Sequence, residues 1–172
     1  TVHPYFIHLF SKFLASLGLK HRINNPYQFK TKGQMLRGCL NKGLLKEAYS
    51  DSVSCGKRGF DRKHWSNKHA RACGACVPCV FRRAALLKAG LAEEQYGYDL
   101  SDSSSWHRDI LRPNSDLQAV IDFVEDNSSP AATWRTLRGN GVLGINQQTK
   151  YLSLVQTLRD EARLWLASMS LI

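Results

Sequence analysis

The sequence predicts a mainly α-helical fold with a metal-binding knuckle at its centre, and three observations lead to this prediction. Apolar residues recur at helical spacing in several segments of the 172-residue chain. Four of the five cysteines lie between residues 55 and 79, three of them at three-residue steps. The surrounding stretch, residues 50–79, is rich in Ser, Gly, Lys and Arg. Because it is too poor in aliphatic residues to form a core, it needs a staple.

The first predicted helix covers residues 5–17. Its apolar residues follow the i, i+3, i+4 spacing, and they include the aromatic stripe Phe6, Phe10 and Phe13. Pro4 suits the first turn of a helix, and Gly18 suits its end. We expect the stripe to be part of the core.

Two shorter helices are predicted before the cysteines. Thr31 is placed to cap a helix that holds Met35, Leu36, Cys39 and Leu40, and a third helix runs from Leu44 to Tyr49. Cys39 lies in an apolar helical pattern outside the cysteine cluster. We therefore interpret it as a small buried hydrophobic residue.

Helical patterns return after the cysteines. A helix is predicted from Val80 to Ala89, where Gly90 ends it, and another from Leu117 to Val124. Trp134 and Leu137 indicate one or two further turns, and the last helix runs from Tyr151 to Met169. Residues 97–115, between the helices predicted at Val80–Ala89 and Leu117–Val124, form a polar connection with a serine-rich run at 101–105. Asp99, Asp102, His107 and Asp109 cluster there, where such residues are ordinary, so we assign them no catalytic role.

Composition limits the class of protein. The net charge of +10 would attract a polyanion such as nucleic acid, although a basic domain without such a ligand fits equally well. No stretch of about 18 apolar residues occurs, and no secretory signal is visible at the start. The odd cysteine count with C-x-x-C spacing indicates a reducing compartment, so we expect a cytoplasmic protein. Because the chain lacks an initiator Met, we expect it to be a piece of a longer protein.

The cysteine cluster predicts a metal site formed by Cys55, Cys73, Cys76 and Cys79. Four thiolates form the closed, tetrahedral ligand set of structural zinc. An iron–sulfur cluster, which also uses C-x-x-C-x-x-C with a distant cysteine, is the less favoured alternative. Nearby cations can balance the charge of four thiolates, since eight Lys or Arg and one acid, Asp61, lie between Cys55 and Arg83. We expect His64 and His69 to be solvated loop residues.

Two segments resemble a known family. The run Cys73-Gly74-Ala75-Cys76-Val77-Pro78-Cys79, followed by a helix with an early arginine, resembles the zinc segment of 7-cyano-7-deazaguanine synthases, the QueC-like proteins. The upstream run from Asn25 to Leu36, with its Lys-Thr-Lys-Gly motif, resembles the segment that precedes this site in the family. The resemblance covers roughly residues 1–90. The extension beyond it resembles QueC-like members of anti-phage defence operons, including the Qat type.

This resemblance implies an ATP-dependent ligase that acts on the carboxylate of a 7-deazaguanine. It also implies a Rossmann-like α/β module of the adenine nucleotide alpha hydrolase type, with an S-G-G-x-D-S loop for ATP. No such loop occurs here, so the ATP-binding half is expected to lie outside this chain. The defence branch implies a protein partner from the same operon as the acceptor. The spacer between Cys55 and Cys73 is longer than the synthase pattern.

The resemblance also suggests roles for two cations. Lys32 corresponds to a lysine that could meet a nucleotide phosphate or a substrate carboxylate, and the alternative is an exposed first-turn lysine. Arg82 either holds the zinc loop or contacts an anionic substrate, and a solvated helix face is equally compatible. We divide the chain into a QueC-like segment, residues 1–90, whose knuckle spans 55–79, and a helical extension, residues 91–172.

Two functions without catalysis remain open. The first is a zinc-stapled nucleic-acid-binding module, suggested by the net charge and the basic loop. Phe60 and Trp65 could stack on bases there, although burial of both against the knuckle is favoured. The second is a scaffold whose last helix, with Trp134 and Trp165, docks a partner protein. The same apolar face could instead pack on the core of this chain.

Overall fold

The computed structural model describes residues 3–21, 23–58, 62–100, 113 and 115–172. Within these residues the chain is helical and contains no strand. Seven α-helices follow one another: α1 (Pro4–Ser16), α2 (Lys32–Arg37), α3 (Lys42–Ala48), α4 (Val77–Ala89), α5 (Asp116–Glu125), α6 (Pro130–Gly139) and α7 (Gln148–Ser168). Short 3-10 helices cover Tyr49–Asp51 and Ile145–Gln147. The mainly helical prediction is confirmed for the described residues.

Several sequence features lie outside this description. They are the serine-rich run 101–105, three members of the polar cluster (Asp102, His107 and Asp109), and the knuckle residues Phe60 and Asp61. Contacts within the chain divide it into two compact units, Thr1–Lys30 with Asn127–Gln156, and Thr31–Asp126 with Thr157–Ile172. The boundary at residue 90 that the sequence suggested stays a prediction.

The first unit has a small core that does not include α1. Trp134 on α6 and Tyr151 on α7 are buried with Leu143, and Phe29 packs edge-on against Tyr151 with 5.0 Å between ring centroids. By contrast, α1 has no buried residue, and Phe6 and Phe13 are 55% and 54% exposed. The expectation that the aromatic stripe is core is therefore wrong, because periodicity shows that a helix is amphipathic but not what covers it.

The second unit is organised around α4. Its main core joins α4, α5 and the C-terminal part of α7, with Val80, Leu117, Val124, Trp165 and Leu166 fully or almost fully buried. Trp165 here and Trp134 in the first unit both pack inside this chain, so neither tryptophan is available as the docking face of the scaffold hypothesis.

Helix α2 packs against α4, and Thr31 fixes where it begins. The Thr31 hydroxyl accepts a hydrogen bond from the Gln34 amide (3.1 Å) and donates one to the buried carboxylate of Glu161 (2.7 Å). The Gln34 side chain accepts from the Thr31 amide, which completes a capping box. The predicted cap is confirmed.

Helix α2 ends earlier than its apolar pattern suggests. Gly38 follows the last helical residue, Arg37, so Cys39 lies outside the helix. Cys39 is only partly buried and Leu40 is fully exposed. The interpretation of Cys39 as a buried hydrophobic residue is therefore wrong.

Candidate metal centre

The four cysteine sulfurs of the second unit converge on one point. Cys55 lies in the segment after the 3-10 helix Tyr49–Asp51, and Cys73 precedes a tight turn. Cys76 occupies the N-cap position of α4, and Cys79 lies in its first turn. One sulfur from each lies within 4.8 Å of every other. Cys73, Cys76 and Cys79 are buried, and Cys55 is partly buried. The quartet could therefore hold a metal ion.

The spacing of the sulfurs suits a single ion. Zinc binds thiolate sulfur at about 2.3 Å, so two ligands of a tetrahedral site lie about 3.8 Å apart. The Sγ atoms of Cys73 and Cys79 are separated by 3.9 Å. An iron–sulfur cluster places several iron and sulfide ions between its thiolates, and it would need wider separations. The geometry therefore favours one zinc-like ion over a cluster.

Backbone amides stabilise negative charge on two of these sulfurs. The amides of Lys57 and Cys73 each donate to Cys55 Sγ at 3.4 Å, and the Cys76 amide donates to Cys73 Sγ at 3.3 Å. Hydrogen bonds to a thiolate favour its charged form. The turns on either side of the site thus prepare the sulfurs to bind a cation.

Crowding makes the pKa values of the three buried thiols diverge. The pKa of Cys76 is lowered, because Cys73 and Cys79 hydrogen-bond to its sulfur. Hydrogen bonds with Cys73 and Cys76 raise the pKa of Cys79. The hydrogen bond with Cys76 raises the pKa of Cys73 to about 11. Four thiols this close cannot all ionise to thiolates without a compensating cation. A divalent metal ion supplies that positive charge.

A glycine and an aromatic ring shape the turn between the ligands. Gly74 has φ 88°, a left-handed conformation that side chains disfavour. A Cβ at this position would lie 2.6 Å from Tyr96 Cβ. Only glycine therefore allows Tyr96 to pack directly on the turn.

The knuckle has a small core of its own. Trp65 and Tyr96 are buried with Ala70, Ala72 and the three buried cysteines. The segment at 97–98 runs beside the ligand turn, since the Gly97 and Tyr98 amides donate to the carbonyls of Ala72 and Cys73 at 2.8 and 2.9 Å. The predicted burial of Trp65 is confirmed. Tyr96 follows the predicted helix after a polar interval, and no local pattern predicts its place in this core.

Arg82 holds the segment that leads to Cys55. Its guanidinium forms a two-point ion pair with Glu94, with both N–O distances 2.6 Å, and donates to Ser52 Oγ (2.9 Å) and the Tyr49 carbonyl (2.5 Å). The hydrogen bonds that the guanidinium donates to the Glu94 carboxylate raise the pKa of Arg82. Arg82 thus contacts the segments on either side of the knuckle, and its role in holding the zinc loop stays a prediction. Whether it also meets a substrate stays a prediction.

Arg83 connects the ligand turn to the last helix. Its guanidinium lies 4.6 Å from the Tyr96 ring centroid and 4.7 Å from that of Trp165 on α7. It also donates to the Gly74 carbonyl (3.3 Å) and pairs with Glu93. No role for Arg83 could be predicted from the sequence, because the aromatic residues that define its position, Tyr96 and Trp165, are distant in sequence.

Other candidate residues lie apart from the quartet. His64 and His69 are exposed and do not belong to it, as expected. Lys32 is exposed at the first position of α2. It lines a cavity of about 270 Å³ between α2, α3 and α4 that Arg82 also lines, with Met35, Leu36, Leu45 and Leu86 as apolar walls. Two cations 50 residues apart thus border one cavity.

No helix in the described part of the chain combines the length and the hydropathy that crossing a membrane requires. Comparisons with protein-family models, curated protein sequences and solved structures gave no match.

Proposed function

We propose that Cys55, Cys73, Cys76 and Cys79 hold one structural zinc ion. The observation that carries this proposal is the convergence of four sulfurs within 4.8 Å of one another, with the Cys73 and Cys79 sulfurs at the separation of about 3.8 Å that a single tetrahedral ion needs. A closed four-thiolate set has no open position for water or substrate. In this proposal zinc therefore supports the fold and takes no part in chemistry.

The chain around this zinc site is, in our proposal, the C-terminal part of a QueC-like ATP-dependent ligase. The ligase would act on the carboxylate of a 7-deazaguanine in the cytoplasm, in anti-phage defence and with a protein partner as acceptor. ATP would bind to a Rossmann-like module outside these 172 residues. The order of the Lys-Thr-Lys-Gly segment, the cysteine motif and the arginine helix supports this assignment.

The cavity beside α2 is the proposed substrate site of this ligase. Its apolar walls suit a flat ring, and the Lys32 ammonium at its edge suits the carboxylate of that ring. Because Arg82 is already paired with Glu94, we assign the carboxylate to Lys32 and a positioning role to Arg82.

The test is equilibrium binding of 7-carboxy-7-deazaguanine to the zinc-loaded chain, measured by calorimetry. Lys32→Gln should weaken binding roughly tenfold, because it removes a charge-assisted hydrogen bond. Lys88→Gln removes the same charge from an exposed position of α4 outside the cavity and should have no effect. The neutral 7-cyano compound should bind the chain and Lys32→Gln equally. Absence of binding, or equal losses in the two lysine variants, would contradict the assignment.

A further inference from the structure

Seven of the eight cations near the metal centre fall into two groups, and the first group is paired with acids. Lys57 Nζ lies 2.6 Å from an Asp116 carboxylate oxygen. Arg82 and Arg83 pair with Glu94 and Glu93. These three cations are therefore already neutralised by this chain.

The second group is the exposed set Arg58, Arg62, Lys68 and Arg71, which we call the knuckle surface. None of the four forms an ion pair with a carboxylate in the part of the chain that the structure describes. The imbalance extends along the sequence, because residues 1–92 carry 17 Lys and Arg but only three acids. Residues 93–172 carry seven Lys and Arg and eleven acids. Among the described residues, the knuckle surface thus carries positive charge that no carboxylate pairs with.

Backbone contacts hold three of these cations, Arg62, Lys68 and Arg71, in defined positions. Lys68 Nζ donates to the carbonyls of Arg62 (2.6 Å) and Lys63, and Arg62 Nη1 donates to the Lys68 carbonyl (3.1 Å). Arg71 donates to the carbonyls of Ser50 and Asp51, both at 3.1 Å. Cations that are already ordered lose less conformational entropy when they bind an anion.

Arg62 distinguishes the kind of polyanion that fits. Its guanidinium lies over the Trp65 ring, 5.0 Å from the centroid, and Trp65 is only 4% exposed. The indole therefore supports one face of the guanidinium while the residue itself remains exposed. A planar guanidinium presented in this way can stack on an unpaired base. An acidic protein surface would use the charge of Arg62 but not this flat face.

We propose that the knuckle surface binds single-stranded nucleic acid. Arg58, Lys68 and Arg71 contact consecutive phosphates, and one base stacks on the Arg62 guanidinium. This function is independent of the proposed ligase chemistry, and it requires only that the metal centre keeps residues 55–79 folded.

The first test measures the salt dependence of binding of the zinc-loaded chain to a labelled single-stranded oligonucleotide of about 12 nucleotides. Fluorescence anisotropy gives the slope of log K against log salt between about 50 and 200 mM NaCl. Each lost phosphate contact reduces this slope by about 0.7, so Arg58→Gln with Lys68→Gln should reduce it by about 1.4. Lys46→Gln with Lys88→Gln removes the same charge from exposed positions on α3 and α4 and should leave the slope unchanged.

A second variant separates stacking from charge. Arg62→Lys keeps the positive charge but removes the planar group, so affinity should fall roughly tenfold while the salt slope stays the same. Absence of saturable binding would overturn the proposal, as would equal slopes for the two double variants. Displacement of the oligonucleotide by polyglutamate at matched charge concentration would also overturn it, because it would indicate an acidic protein as the ligand.

Discussion

At the scale of single residues, the turn between Cys73 and Cys76 depends on Gly74, because this position has no room for a side chain. Gly74 combines φ 88° with direct contact to Tyr96, so a larger residue meets two separate penalties. Gly90, at the end of α4, has a similar φ of 67° but open space around its Cβ position. The two glycines therefore separate the cost of backbone strain from the cost of a steric clash.

We predict that Gly74→Ala destabilises the zinc-loaded chain by about 2–4 kcal/mol, which is the sum of backbone strain and overpacking. Gly90→Ala should cost only about 1 kcal/mol, because it meets the backbone term alone. Denaturant unfolding followed by circular dichroism measures both values. Equal losses for the two variants would mean that Tyr96 moves aside and does not define the turn.

At the scale of helices, α1 buries none of its residues in the part of the chain that the structure describes. Phe6, Phe10 and Phe13 stack along the helix, with ring centroids 5.9 and 6.3 Å apart, and remain exposed. Apolar side chains stabilise a fold only to the extent that they leave water. This face therefore contributes little to the stability of the chain alone.

Replacing two of these rings tests that interpretation. We expect Phe6→Ser with Phe13→Ser to change the free energy of unfolding by less than about 1 kcal/mol, as for other exposed positions. Trp134→Ala, at a buried position in the same unit, should cost about 3–5 kcal/mol. A loss of several kcal/mol in the double variant would show that the stripe is covered in solution.

Helical periodicity and capping residues predicted the elements well. Every α-helix in the described residues has a counterpart in the sequence pattern, and the positions of Thr31 and Gly90 follow from local backbone chemistry. Local signals failed where tertiary context decides the outcome. The exposure of the aromatic stripe on α1 and the partial exposure of Cys39 both depend on which segments pack nearby. Sequence spacing does not contain this information.

The metal ligands could also be predicted, because C-x-x-C spacing encodes a turn that brings sulfurs together. The residues that hold the metal-binding turn and α4 in place could not be predicted in this way. Tyr96 and Trp165 enclose Arg83 from segments 13 and 82 residues further along the chain, and nothing in their local sequence marks them as partners of an arginine. Likewise, Glu93 and Glu94 look like ordinary acids of a polar connection until the fold brings them to α4.

At the scale of the whole molecule, a metal ion would compensate for a shortage of apolar contacts around the knuckle. Its core consists of two aromatic rings, two alanines and the cysteines themselves. A structural zinc site contributes roughly 10–16 kcal/mol at neutral pH, which is enough to order a loop of this length. The central claim is therefore that one ion, held by four sulfurs, keeps the basic segment folded against α4.

The most direct test is elemental analysis of the purified chain, with matched cysteine variants. We predict one zinc ion per chain in the native protein and in Cys39→Ser, because Cys39 lies outside the quartet. Cys76→Ser should lose the metal, because it removes one of the four thiolates that complete the tetrahedral site. A native chain without stoichiometric zinc, or a Cys76→Ser variant that keeps a full complement, would contradict the account.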